Sequence, residues 1–289
     1  KEGKPEVWIW GIDDQDQRVL IIDRDFLAYF YLILKEGVDP RKVMDAMDAR
    51  KTAEFRSVVK LELGQRRYFG RLVDIVKVFC DGPDVVGKYA KAMGKIEGVK
   101  ESLEDDVRFS VHYVTDNNLS PSGWHEVEAE EARNDSGAWV DKVYIAKSQP
   151  VSVERFEVPK PRILAFSTIA YSAKGAPRAE KDPVIIVSVC TGAGEEKQFV
   201  AKASDDKSVL ESFVKYVRDF DPDIIAGYGT NRQYWPYLTS RAKKLGVKLF
   251  VDRTSTEPHT SVYGHVSIMG RANVDFFDFS DELQEVKVK

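Results

Sequence analysis

The chain has 289 residues, 43% hydrophobic and 31% charged, enough to bury a sizeable core and to divide into two domains. No apolar run reaches the roughly 20 residues of a membrane span, and no secretory signal is visible, so a cytoplasmic protein without membrane partners is expected. The net charge of −4 argues against a uniformly basic nucleic-acid binder but leaves room for a local basic groove.

Glu6–Gly11 and Arg18–Ile22 are short apolar runs around the turn-like Asp13-Asp-Gln-Asp16, which predicts a hairpin. Phe26–Leu34 is aromatic-rich and β-prone. Asp39-Pro40 supplies a cap residue and a first-turn proline, so a helix starts there. Arg56–Leu63 and Leu72–Phe79 predict strands. Asp84–Ile96 carries Val85, Val86, Tyr89, Ala90 and Met93 at helical spacing, against which Gly87 and Gly94 count. This strand–helix–strand pattern, repeated about twice, fits a ferredoxin-like α+β layer with helices on one face. Glu126–Ser136 is polar and predicts an exposed surface segment. Pro159-Lys-Pro161 predicts the domain boundary, giving domains 1–158 and 159–289.

The second half alternates strands and helices. Strands are expected at Ile163–Ala170, Val184–Val189 and Glu196–Ala201. A helix follows over Asp205–Phe220, with Val209, Leu210, Phe213, Val214, Val217 and Phe220 as its apolar stripe. Asp205 and Asp206 sit at its positive end, and Asp221-Pro222 stops it. Ile224–Gly227 predicts a strand leading through Thr230-Asn231 into a helix over Tyr234–Leu245, ended by Gly246. Phe250-Val251, the surroundings of Val266, and Asn273–Phe277 supply later strands. Both ends read as cuts within a longer protein, since the chain begins at Lys1 and closes on the strand-like Glu285-Val-Lys-Val-Lys289. Cys80 and Cys190 read as buried free thiols of a reducing compartment. Neither they nor His112, His125, His259 and His265 follow a metal-ligand spacing.

Two segments carry the functional reading. Arg162-Ile-Leu-Ala-Phe-Ser-Thr-Ile-Ala-Tyr171 and Asp221-Pro-Asp-Ile-Ile-Ala-Gly-Tyr-Gly-Thr-Asn-Arg-Gln-Tyr-Trp-Pro-Tyr-Leu238 resemble the first and second exonuclease motifs of family B DNA polymerases, most closely archaeal ones. Gly270-Arg-Ala-Asn-Val-Asp275 resembles the strand ahead of their third motif. The resemblance implies a ribonuclease-H-like 3′–5′ exonuclease fold for the second domain, cut short at its C-terminal end, and an α/β class overall. It also implies a parent enzyme of DNA replication or repair.

In the family, the first motif reads Ala-Phe-Asp-Ile-Glu and the second ends Phe-Asp-Trp-Pro-Tyr-Leu. Here Ser167, Ile169 and Tyr234 stand at the acidic positions. Strand alternation puts residues 167 and 169 on one face, where two ligands for Mg²⁺ belong. Hard divalent cations need anionic oxygens, and hydrolysis needs a pair of such metals. The resemblance therefore implies a vacated proofreading site, with no catalytic residue, metal or cofactor expected in this region although the family uses Mg²⁺. A DNA-binding scaffold is expected. Contacts are assigned to Tyr228, Asn231, Arg232, Arg241, Lys243 and Lys244, and the polymerase domain and replication factors are partners. Arg66-Arg67 and Lys88, Lys91 and Lys95 are further basic clusters, each more often a solvated face. Trp235 and Tyr237 read as core.

Upstream, Asp23–Tyr31 and Asp106–Tyr113 resemble segments lining a template-uracil pocket in archaeal relatives. Tyr29 and Phe109 match it. Ala28, Lys100 and His112 replace a proline, a valine and an arginine, which implies weakened uracil recognition. Two rivals stand beside this reading: a stand-alone pseudo-exonuclease that binds single-stranded DNA or a replication partner, and an active exonuclease using Asp275 or Asp278.

Overall fold

The computed structural model describes residues 5–203, 205–261 and 263–280; the strand-like ending at 285–289 lies outside them. The chain forms two compact units, one of residues 1–9, 21–132 and 144–157, the other of residues 10–20, 133–143 and 158–289. Segments 10–20 and 133–143, contiguous in sequence with the first domain, therefore group with the second unit. β1 (Val7–Ile12) and β2 (Arg18–Asp23) are adjacent strands, as the turn composition predicts, joined by a turn in which Asp13 N donates to Gln17 O.

The core of the first unit is a ferredoxin-like βαββαβ arrangement: β3 (Ala28–Leu34), α1 (Pro40–Lys51), β4 (Val58–Tyr68), β5 (Arg71–Cys80), α2 (Val86–Met93) and β6 (Val99–Leu103). Its four-stranded sheet has the order β4-β5-β3-β6, and every pairing is antiparallel. α1 begins as the cap predicts, with Arg41 N donating to the Asp39 carboxylate. A short 3₁₀ turn, Pro83–Val85, replaces the first part of the helix expected from Asp84, and Gly94 caps its end. Phe30, Leu32, Val76 and Val78 face α1 and α2 in one apolar core, while Tyr29, Tyr31, Ile33 and Ile75 form a second cluster. This is the period-two alternation of a sheet packed on both faces.

α3 (Phe109–Asp116), β7 (Trp124–Glu126), β8 (Ala129–Ala132), β9 (Lys142–Ala146) and β10 (Val151–Val153) follow. The polar stretch predicted as a surface segment is indeed largely exposed, yet it contributes β8, the end strand of a β1-β2-β9-β8 sheet. Cys80 is buried, which pushes its thiol up to about 12. Cys190, expected buried, is only half-buried.

The second unit is built on a five-stranded sheet, β13-β12-β11-β14-β17. Its strands are β11 (Ile163–Ala170), β12 (Val184–Thr191), β13 (Glu196–Val200), β14 (Ile224–Gly227) and, after the small pair β15 (His259–Thr260) and β16 (Val266–Ser267), β17 (Ala272–Asp275). β11–β12–β13 are antiparallel, and β14 and β17 run parallel to β11. α4 (Lys207–Phe220) and α5 (Trp235–Leu245) bury Val209, Leu210, Phe213, Val217, Trp235 and Leu238 against Leu164, Phe166, Val187 and Val189. Asp221 ends α4 in a left-handed conformation (φ 51°), and Gly246 does the same for α5. Phe250-Val251 forms no strand; the segment is a connection with Val251 buried and Phe250 half-buried. Among the described residues no helix is long and apolar enough to cross a membrane.

Candidate functional site

β11 alternates as its sequence predicts. Leu164 and Phe166 enter the core, and Ser167 and Ile169 share the opposite, exposed face, Ile169 at 56% exposure. Across the strand pair they meet Ser188 and Ile186. Tyr234 does not join them: it is half-buried, packs against the core and lies 5.7 Å, ring to ring, from Phe166.

The turn after β14 is held from below by a buried carboxylate. Asp275 accepts hydrogen bonds from Gly229 N (2.6 Å), Asn231 N (2.7 Å) and Phe277 N (3.0 Å). Asn231 accepts from Val266 N and from Asn273 Nδ2, and donates to Asp278. Trp235 Nε1 donates to Asn273 Oδ1. Between these anchors the chain makes one π-helical turn, Thr230–Tyr234, before α5. Gly227 permits the tight approach: a Cβ there would stand 2.6 Å from Thr230 Cγ2 and 2.8 Å from the Phe166 carbonyl oxygen.

At the other end of β14, Asp221 and Asp223 anchor arginines from distant segments. Asp221 accepts from Arg162 (3.1 Å), Arg253 (3.1 Å) and Arg271 (2.7 Å). Asp223 accepts from Arg18 (2.7 Å) and Arg253 (2.7 Å), and from Arg162 N. Burial works to raise the Asp223 carboxyl, but hydrogen bonds from Arg18, Arg162 N and Arg253 outweigh it and hold the group below its ordinary value. Burial pulls the Arg271 guanidinium downward. No local sequence pattern announces this network; Asp221-Pro-Asp223 reads as a helix stop and the opening of the second motif, not as an ion-pair centre.

Two residues assigned to DNA contact are framework instead. Asn231 is buried in the turn just described. Arg241 is buried and bidentate on Asp206 (2.6 and 3.1 Å), with its third nitrogen on Ala179 O. Asp206 accordingly makes no side-chain cap on α4; its carboxylate takes Val184 N and Arg241. Leu238, Arg241, Ala242 and Leu245 lie one helical turn apart on one face, and that spacing was the available signal. Tyr228, Arg232, Lys243 and Lys244 are exposed. Tyr228, at 59% exposure, and the Arg232 guanidinium meet the Phe277 ring at 5.5 and 4.8 Å, a clustering that motif matching alone missed.

In the first unit, Tyr29 and His112 of the five pocket positions come together, and Phe109 packs against the cluster that holds Ala28. The His112 ring stacks on Tyr29 at 4.1 Å and 13°, and Lys77 Nζ sits 3.6 Å from the centre of the same ring. Tyr29 OH donates to Asp116 (2.8 Å); burial first, and that carboxylate second, push the phenol upward. A cavity of about 520 Å³ is lined by Tyr29 together with Asp23, Asp25, Phe26, Lys77 and Asp116. Ala28 belongs to the helix-side core, Phe109 reaches the site through Phe26 (5.3 Å), and Lys100 lies by Glu101 and Tyr68.

Residues 101–202 and 190–287 match the family described as DNA polymerase family B, exonuclease domain. The chain belongs to this family. It is 36% identical over 289 residues to DNA polymerase 2 of Aeropyrum pernix, covering 99% of this chain and 36% of that protein. It is 32% identical to the DNA polymerase of Archaeoglobus fulgidus, covering 99% and 34%. The structure of the family B DNA polymerase from Pyrobaculum calidifontis superposes with a TM-score of 0.88 at 38% identity, covering all of this chain and 37% of that one. The chain thus spans about a third of the length of these relatives.

A divalent-metal pair does not fit the residues at the motif positions. They offer one neutral hydroxyl (Ser167), one hydrocarbon (Ile169) and a phenol packed on the core (Tyr234). Asp275 is committed to the turn, and the exposed Asp278 takes the Asn231 amide through one oxygen. Among the described residues, no group of three His, Cys, Asp or Glu side chains is arranged to hold a metal.

Proposed function

We propose that this chain is the N-terminal and exonuclease-like region of a family B DNA polymerase whose proofreading centre is vacated and which holds DNA without cutting it. The observation that carries this reading is the donor set on β11 and at residue 234, which lacks the anionic oxygens that two-metal hydrolysis requires. The exposed Tyr228 and Arg232, gathered on the half-buried Phe277 ring and followed by Lys243 and Lys244, support contact with unpaired DNA: an aromatic face stacks on a base and the cations meet phosphates. Further partners on this reading are the polymerase domain and replication factors. The His112 ring stacked on Tyr29 supports loss of uracil capture. The engagement of Asp275 in three backbone hydrogen bonds weighs against the rival active exonuclease.

The test is incubation of 3′-labelled single-stranded DNA with the protein and Mg²⁺ or Mn²⁺. No shortening is expected, with binding that weakens as salt rises. Metal-dependent cleavage abolished by Asp275→Ala would overturn the reading.

A further inference from the structure

The β4–β5 hairpin ends in a feature that folding alone does not explain. Tyr68 pairs with Arg71, leaving Phe69-Gly70 as a two-residue loop. Both loop residues have positive φ, 47° and 80°. That combination marks the hairpin turn that favours Asn-Gly or Gly-Gly, because an L-residue with a bulky side chain is strained there. Phe69 carries a second penalty, since its ring is 90% exposed. Strain and an exposed aromatic at one position are what a binding tip shows, where local cost is retained for contact.

The surroundings state the partner's chemistry. Arg66, Arg67 and Arg71 flank the tip and are exposed, and no acidic residue occurs from Gln65 to Leu72 on a chain of net charge −4. Arg66 is braced by Tyr31 OH (3.0 Å), and the Tyr68 ring stands edge-on to Phe69 at 4.6 Å. An exposed aromatic flanked in sequence by exposed arginines suits a strand with free bases and a phosphate backbone. A folded duplex offers the phosphates without an open base face.

We infer that the tip of the β4–β5 hairpin is a contact for unpaired DNA, with Phe69 stacking on a base and Arg67 and Arg71 meeting the flanking phosphates. This contact is separate from the Tyr228–Arg232 cluster and rests on the proposed function only in that the whole chain is taken to bind DNA.

The experiment is fluorescence anisotropy of a labelled single-stranded DNA oligonucleotide with the full 289-residue chain, alongside a blunt duplex of the same sequence. Phe69→Asn relieves the turn, so the variant should melt no lower than the wild type while binding the single strand about tenfold more weakly. Phe69→Trp should keep wild-type affinity. Arg67→Ala and Arg71→Ala should each lower the slope of log affinity against log salt by about 0.7, and Phe69→Asn should leave that slope unchanged. Duplex affinity should not respond to Phe69→Asn. Wild-type single-strand affinity in Phe69→Asn would overturn the inference and leave the tip as a protein contact. Equal loss on single strand and duplex would overturn base stacking. A wild-type chain that binds neither DNA would sink the proposed function as well, whereas loss in Arg232→Ala without loss in Phe69→Asn would sink the hairpin alone.

Discussion

Asp275 separates a structural carboxylate from a catalytic one. Its Oδ1 accepts from Gly229 N and Phe277 N, its Oδ2 from Asn231 N, and it is 2% exposed. Asp275→Ala leaves the Gly229 and Asn231 donors buried without acceptors. Hydrogen bonds to a charged group contribute about 1.5–3 kcal/mol each. Because the three share one carboxylate they do not add in full, so a loss of about 3–5 kcal/mol is expected. Asp275→Asn keeps one oxygen and turns an amide donor towards another donor, for a loss of about 1–3 kcal/mol. Urea unfolding followed by intrinsic fluorescence reads this as a lower midpoint at unchanged slope, with the same result with or without Mg²⁺. A loss below about 1 kcal/mol would refute the reasoning. A loss seen only when Mg²⁺ is present would also refute it, by making Asp275 a ligand.

Arg241→Ala strands the buried Asp206 carboxylate and should cost about 3–5 kcal/mol in the same assay. Burial raises Asp206, but the Arg241 and Val184 N hydrogen bonds hold it below its ordinary 3.8, as Asp223 is also held low. These groups therefore stabilise fully above that value and lose their contribution as pH falls through the lower folded value, so wild-type urea midpoints should drop below about pH 4 and Arg241→Ala should flatten part of that drop. Gly227→Ala drives a Cβ onto the Phe166 carbonyl oxygen and should cost about 1–3 kcal/mol, whereas Gly87→Ala, in open space within α2, should stabilise by about 0.5–1 kcal/mol. Melting both variants checks the opposite signs. Single strands differing by one uracil for thymine should bind with indistinguishable affinity in anisotropy titrations; a clear uracil preference would mean that His112 leaves the Tyr29 ring.

Elements with local signals were legible in the sequence. The β11 alternation, the α4 stripe and the Asp39-Pro40 start are each written within one turn or strand, and the motif pair located the second unit's fold. What the sequence hid was assembled from distance. Arg18, Arg162, Arg253 and Arg271 converge on Asp221 and Asp223 from four separate segments, and no window contains the pattern. Arg241 was hidden for another reason: beside Lys243-Lys244 it reads as a basic cluster, and only helical spacing shows that it faces the other way. Phe250-Val251 has strand composition without a strand because a connection that buries Val251 suits the same apolar composition. The same limit applies to Ala28 and Tyr29, adjacent in the uracil-pocket motif but on opposite faces of β3, in separate apolar clusters.

On the proposed reading, the two motifs divide the labour between exposed ligand positions and a buried frame. Ser167 and Ile169 stand on the exposed face, where substitutions change stability within about 0.5 kcal/mol, so acids there can be exchanged at little cost to the fold. Asn231, Trp235, Asn273 and Asp275 tie the turn after β14 and the start of α5 to β17 by buried hydrogen bonds, so their loss costs the fold. Tyr234 belongs to the second kind although it matches a ligand position, because its ring packs on Phe166 and the core. Rebuilding the ligand set should therefore be uneven. Ser167→Asp with Ile169→Glu is expected to be close to neutral in metal-free urea unfolding. Adding Tyr234→Asp removes that packing and puts a carboxylate beside the core, for a further loss of about 2–4 kcal/mol. Mg²⁺ should recover part of that loss only if the aspartate turns out of the core towards β11. A triple variant as stable without metal as the double variant would show that Tyr234 contributes nothing to the fold, and the return path to a nuclease would be open at that position.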